Sequence, residues 1–263
     1  GPAIDFLSVS FSGVDAVNHF FGPASLENED MIVQLDRTLA GFLTFVDKQV
    51  GLEHTLIVLS ADHGIAELPE YMAERGMETG RLTPDVILKA VERISQARFG
   101  FGDITKFYYR PYLYLDWERI RAAGLDPDKA LEVLAEALTL EPGIHIAATR
   151  QMLESWPDRK LFDQIRNNYH PVRSGDIYIV QEPYWFNFDK GPVAGMHGSP
   201  WNYDTHVPLV FAGPGIPASL IQRRVQPADV APTLAALLGM SPPASAHGTV
   251  LKEVFITGPE PAN

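Results

Sequence analysis

The chain has 263 residues, 46% of them hydrophobic, which is enough to bury a large α/β core. Its formal net charge is −12, with 33 Asp and Glu against 21 Lys and Arg and no basic run, which argues against binding to nucleic acid through a basic face. No apolar run approaches the ~20 residues that span a bilayer, and the absence of cysteine removes disulfides, thiolate nucleophiles and sulfur-ligated zinc, leaving His and carboxylates as metal ligands.

Residues 4–11 (IDFLSVSF) form an apolar, β-rich run that predicts a buried strand, and SGVDAVNHFFGP after it reads as a loop closed by Gly22 and Pro23. Ile32, Leu35, Leu39, Phe42, Leu43 and Val46 recur at helical spacing, predicting one long amphipathic helix over 28–50 that Gly51 ends. Residues 55–60 (TLIVLS) predict a second buried strand, running directly into Ala61-Asp62-His63-Gly64. An exposed loop is expected over 67–80 and a helix over 84–97.

From about residue 101 the character changes. KFYYRPYLYLDW is aromatic and β-like, residues 128–140 make a plain Ala/Leu/Glu helix, and GIHIAAT returns as a strand. Residues 175–180 and 207–212 are again strand-like, and DVAPTLAALL predicts a closing helix over 229–238. The alternation of strand and helix predicts an α/β fold, a mostly parallel sheet flanked by helices with a small inserted α+β subdomain. The expected divisions are 1–100 (core), 101–153 (insertion) and 154–263 (core).

Three clusters carry chemistry: Asp15-x-x-x-His19, the adjacent pair Asp62-His63 directly after a strand, and His197 in the glycine-flanked Gly195-Met196-His197-Gly198-Ser199. Loops beyond the carboxyl ends of strands are where sites form in such sheets. Zinc takes imidazole nitrogen and carboxylate oxygen at roughly 2 Å and wants about four ligands. Two zinc ions roughly 3.5–4 Å apart clamp the attacking and leaving oxygens of a displacement at phosphorus. Two Asp and three His fit that demand but fall short of two complete ligand shells. Each alone reads equally as structure: Asp15 as a turn residue, His19 packed on Phe20 and Phe21, Asp62 as a helix cap, His197 as an exposed loop residue.

SGVDAVNHFFGP, LIVLSADHG, RSGDIYIV, MHGSPWNYDTHVPLVFAGPGI and DVAPTLAALLG, in this order, resemble the alkaline phosphatase superfamily. The nearest likeness is to bacterial alkaline phosphatases with a Thr nucleophile and to the nucleotide pyrophosphatase/phosphodiesterases. The resemblance implies two Zn2+ ions, one held by Asp15, His19 and His197 and the other by Asp62 and His63. It implies a small-molecule phosphate ester as substrate and a periplasmic or secreted location, while the charge and the lack of a long apolar run lead one to expect neither nucleic acid nor membrane as partner. It also implies that the nucleophilic Thr or Ser and a further Asp ligand precede the segment matching residues 4–13, so the chain reads as the C-terminal portion of a longer enzyme. Asp204 or His206 are candidates to orient His197 from behind, and Lys190 and Arg173 to meet phosphate. Trp185, Phe186, Trp201 and Tyr203 are candidates to wall the cleft.

Overall fold

The computed structural model describes residues 4–157, 159–188 and 193–255. In chain order, α1 (Gly13–Phe21) is followed by α2 (Leu26–Gln49), β1 (Ile57–Ser60), α3 (Pro69–Ala73) and α4 (Pro84–Phe99). Next come β2 (Thr105–Tyr109), β3 (Tyr112–Leu115), α5 (Trp117–Ala122), α6 (Pro127–Thr139), β4 (Ile144–Thr149), α7 (Arg150–Ser155) and α8 (Lys160–Asn167). The series closes with β5 (Ile177–Gln181), α9 (Asn202–Thr205), β6 (Leu209–Ala212) and α10 (Val230–Leu237). No helix among the described residues is long and apolar enough to cross a membrane.

Local chemistry explains the boundaries. Ser25 opens α2 by accepting the Asn28 amide at 3.1 Å, and Gly51, at φ +91°, turns the chain after it. Asp116 and Asp126 each accept two amides of the first turns of α5 and α6, and proline occupies an initial position of α3, α4 and α6, where its missing N–H costs nothing.

The chain divides into two compact units, Gly1–Ile32 with Ile65–Thr205, and Val33–Gly64 with His206–Asn263. The first is built on a four-stranded sheet of order β2-β3-β5-β4, which takes in β5 and the covering helix α4 from either side of residues 101–153. Alternation along β5 makes it two-faced: Ile177 and Ile179 pack with Val91, Ile94, Leu134 and Leu138 from α4 and α6. Tyr178 and Val180 pack with Leu153 and Ile165 on the other side. Each of these fully buried aliphatic side chains contributes roughly 1.5–3 kcal/mol relative to exposure.

In the second unit β1 pairs with β6 in the register Ile57–Ala212 to Ser60–Leu209. The carboxylate of Asp229, which is buried, ties the chain around α10: Oδ2 accepts the Gln226 amide at 2.8 Å and Oδ1 the Thr249 amide at 2.7 Å.

The mixed α/β class holds, with helices flanking sheets. Three details differ from expectation. The ladders among the described residues are antiparallel rather than mostly parallel, the parallel contact being an isolated bridge between Arg81 and Phe186. The two-residue connection Arg110-Pro111 between β2 and β3 permits only an antiparallel pair. Residues 4–11 form no strand and stay exposed, since no described strand lies alongside to take their backbone hydrogen bonds. The segment expected as a loop after them is α1, and α3 occupies part of the loop expected over 67–80.

Candidate metal centre

α1 is short, with the Asp15 carboxylate in its first turn, where the helix dipole favours negative charge, and His19 in its last. The four-residue spacing puts both on one face, and His19 Nε2 lies 3.4 Å from Asp15 Oδ1. Gly22, at φ +84°, ends the helix, and a Cβ there would stand 2.7 Å from Leu68 Cγ.

The loop carrying His197 is bound to the end of this helix through its backbone. The amides of Ala194 and Gly195 donate to the His19 carbonyl at 2.7 and 3.1 Å, and His19 Nδ1 lies 2.9 Å from the Gly195 carbonyl. A carbonyl only accepts, so Nδ1 carries the proton and Nε2 presents its lone pair toward Asp15. His197 Nε2 lies 3.7 Å from the same Asp15 oxygen, and the two imidazole rings are 5.1 Å apart, tilted by 42°. One donor atom from each of Asp15, His19 and His197 lies within 4.8 Å of the others. Ligands about 2 Å from a tetrahedral ion stand about 3.3 Å from each other, so one carboxylate and two imidazoles at these separations fit a zinc-like cation. Side-chain exposures of 44%, 20% and 22% leave the group open on one side, as a reactive rather than a sealed site requires.

Asp62 and His63 follow β1 in the second unit. His63 Nδ1 lies 2.9 Å from the Gly64 carbonyl, which again leaves Nε2 outward, 3.7 Å from Asp62 Oδ2. The Asp62 side chain is 89% exposed and accepts the His63 amide at 3.1 Å; no helix starts here for it to cap. The sequence candidates thus resolve into one three-residue cluster and one adjacent pair.

Asp204 is buried and accepts both the amide and the hydroxyl of Ser199, at 2.7 and 2.6 Å, so it holds the turn two residues beyond His197. His206 is exposed and belongs to the second unit. Arg173 is exposed in a turn, and Lys190 lies outside the described residues. The Trp201 indole donates to the Gln181 carbonyl at 3.0 Å and packs edge-on to His145, anchoring the loop to the sheet. Trp185 covers Gly80 and Gly143, while Trp185, Phe186 and Tyr203 line a small cavity that also meets His197.

Sequence reasoning missed two residues of this cavity. Arg110, in the β2–β3 turn, donates to the His197 carbonyl at 3.0 Å and the Asn187 carbonyl at 3.2 Å. Burial pushes its guanidinium below the usual arginine range, with Tyr108, Tyr109 and Asp204 acting against that shift. Glu67 lines the same cavity, and burial raises its carboxyl above the usual range, although the Ala24 backbone and Arg75 oppose the shift. Neither residue carries a motif. Their placement depends on which loops meet, which no local pattern records.

The model of the type I phosphodiesterase / nucleotide pyrophosphatase family matches residues 2–200. The chain belongs to this family. It therefore falls within the alkaline phosphatase superfamily, as the ordered motifs led one to expect. Among curated relatives it is 34% identical over 254 residues to alkaline phosphatase PafA of Elizabethkingia meningoseptica, covering 95% of this chain and 46% of that protein. It is 33% identical over 253 residues to a protein of Myroides odoratus named calcium-transporting ATPase, with the same two coverages. The crystal structure of PafA superposes with a TM-score of 0.80 at 31% identity, over 92% of this chain and 46% of that one. The chain spans about half the length of the relatives it matches.

Proposed function

We propose that this chain is the metal-holding portion of a two-zinc phosphomonoesterase. The observation that carries the reading is the convergence of Asp15, His19 and His197 donor atoms within 4.8 Å, in a chain of phosphoric ester hydrolase kinship. Asp15, His19 and His197 would hold one zinc, and Asp62 with His63 would contribute to a second. Zinc bound there would supply Lewis-acid charge for the oxygens of a phosphate ester. This chain's own part is to fix the donors: the Gly195 carbonyl orients His19 and the Gly64 carbonyl orients His63.

Hydrolysis itself is proposed for a protein of the relatives' length: a Thr or Ser hydroxyl would attack phosphorus and expel the ester's alcohol, and water would then break the phospho-enzyme bond to release inorganic phosphate and restore the hydroxyl. None of the residues named above is assigned that nucleophile, so the 263-residue chain alone is expected to leave an aryl phosphate nearly untouched. The resemblance to alkaline phosphatases supports a periplasmic or secreted setting. A second reading, phosphodiester hydrolysis at the same centre, is favoured by the family's description, and rates on paired monoester and diester substrates of the longer protein separate the two.

The first test is elemental analysis of zinc in the chain and in its His197→Ala and Asp62→Ala variants. Each substitution should remove about one equivalent; zinc retained in full by both would refute the assignment.

A further inference from the structure

His197 sits in a stretch without ladder hydrogen bonds, between Gly195 and Gly198, the latter at φ +101°. Such a backbone does not by itself fix a ring to the tolerance a metal needs. Two charged side chains grip it from opposite ends of one short turn. The Arg110 guanidinium takes the His197 carbonyl at 3.0 Å, and the buried Asp204 carboxylate takes the Ser199 amide at 2.7 Å. Arg110 is itself fixed: it donates to the Asn187 carbonyl at 3.2 Å and its Cζ stands 4.8 Å from the centre of the Phe188 ring. The side chain of Asn187 is in turn held by the buried Tyr108 hydroxyl at 2.9 Å.

We infer that Arg110 is a positioning residue for the metal, acting through the main-chain carbonyl of His197 to set where that imidazole presents Nε2 toward Asp15. The inference rests on the proposed metal role of Asp15, His19 and His197. It also gives the β2–β3 hairpin a job: the hairpin turn delivers the cation that braces the metal-ligand loop. Both carbonyls are served by one guanidinium nitrogen, Nη1, while the planar group stacks its face on the Phe188 ring, a contact that fixes the donor and that an ammonium does not reproduce. Groups that orient metal ligands typically change metal affinity 10–100-fold when removed.

The test uses the full 263-residue chain, with zinc affinity read by competition against a chromophoric chelator and the cobalt-substituted visible spectrum read alongside. Arg110→Gln should raise the zinc Kd about 10–100-fold and alter the cobalt spectrum, with Arg110→Lys intermediate. Arg166→Gln is the control, because that guanidinium instead grips the Leu153 and Trp156 carbonyls at 3.0 and 3.2 Å; it should keep wild-type zinc affinity. Wild-type affinity and spectrum in Arg110→Gln, or an equal loss in Arg166→Gln, would overturn the inference. If Arg110→Gln lacks a native far-UV circular dichroism spectrum, Arg110→Lys decides, and unchanged affinity there counts against the role. A wild-type chain that binds no zinc defeats the metal reading itself, a result distinct from one in which wild type binds and Arg110 is indifferent.

Discussion

Glu67 shows how the cavity that also meets His197 treats charge. Its Oε2 is buried and makes no hydrogen bond among the described residues, and desolvation raises its carboxyl above the usual range against the opposing Ala24 backbone and Arg75. Because the folded value lies above the unfolded one, the stability tied to the protonated form is complete below about pH 4.5 and is lost as pH rises through the folded value. Glutamine mimics the neutral acid and does not titrate. Glu67→Gln should therefore melt above wild type at pH 7, with the difference shrinking toward zero below pH 4. Thermal melts at the two pH values check this; a difference independent of pH would mean that ionisation is not what Glu67 costs the fold.

The junction of α1 with the His197 loop depends on the absence of a side chain at residue 195. A Cβ on Gly195 would stand 2.9 Å from the Asn18 carbonyl oxygen, a backbone atom that cannot swing aside. Gly195→Ala should thus push the loop off the helix, weakening the hydrogen bond to His19, with a cost of about 1–3 kcal/mol and a weaker zinc site. Denaturant unfolding and chelator competition report the two effects separately, and an alanine variant matching wild type in both would show that the contact relaxes freely. This element was hidden in the sequence although its residues were not. Asp15 and His19 were legible as candidate ligands by type, and their four-residue spacing is helical, yet Gly13, Gly22 and Pro23 made the segment read as a loop. The long α2, the helices α4 and α6 and the strands β1 and β4 were legible because their apolar periodicity or capping is local. Strand direction was not, since it depends on which strands become neighbours. Arg110 was illegible because it works on a main-chain carbonyl, and every residue offers one.

At the scale of the whole molecule, the metal reading makes the cation a tie between distant parts of the chain. His19 and Gly195, whose side chain and carbonyl already pair, are 176 positions apart, and a bound ion would add His197 to that closure. An ion that binds only the folded state stabilises it by about 2.7 kcal/mol at a hundredfold excess over Kd, which for a chain of this size is a rise of roughly 5–10 °C in Tm. Zinc should therefore raise Tm saturably, EDTA should reverse the rise, and amide exchange should slow in residues 13–21 and 194–199. The competing explanation is that zinc stabilises simply by screening an acidic surface, with 33 Asp and Glu set against 21 Lys and Arg. That effect would be spread over the surface, weak, and indifferent to one imidazole. His197→Ala distinguishes them: the site-specific reading requires the zinc-dependent shift to collapse in this variant, whereas a shift of undiminished size would assign the stabilisation to general charge and remove the cluster's claim to a metal.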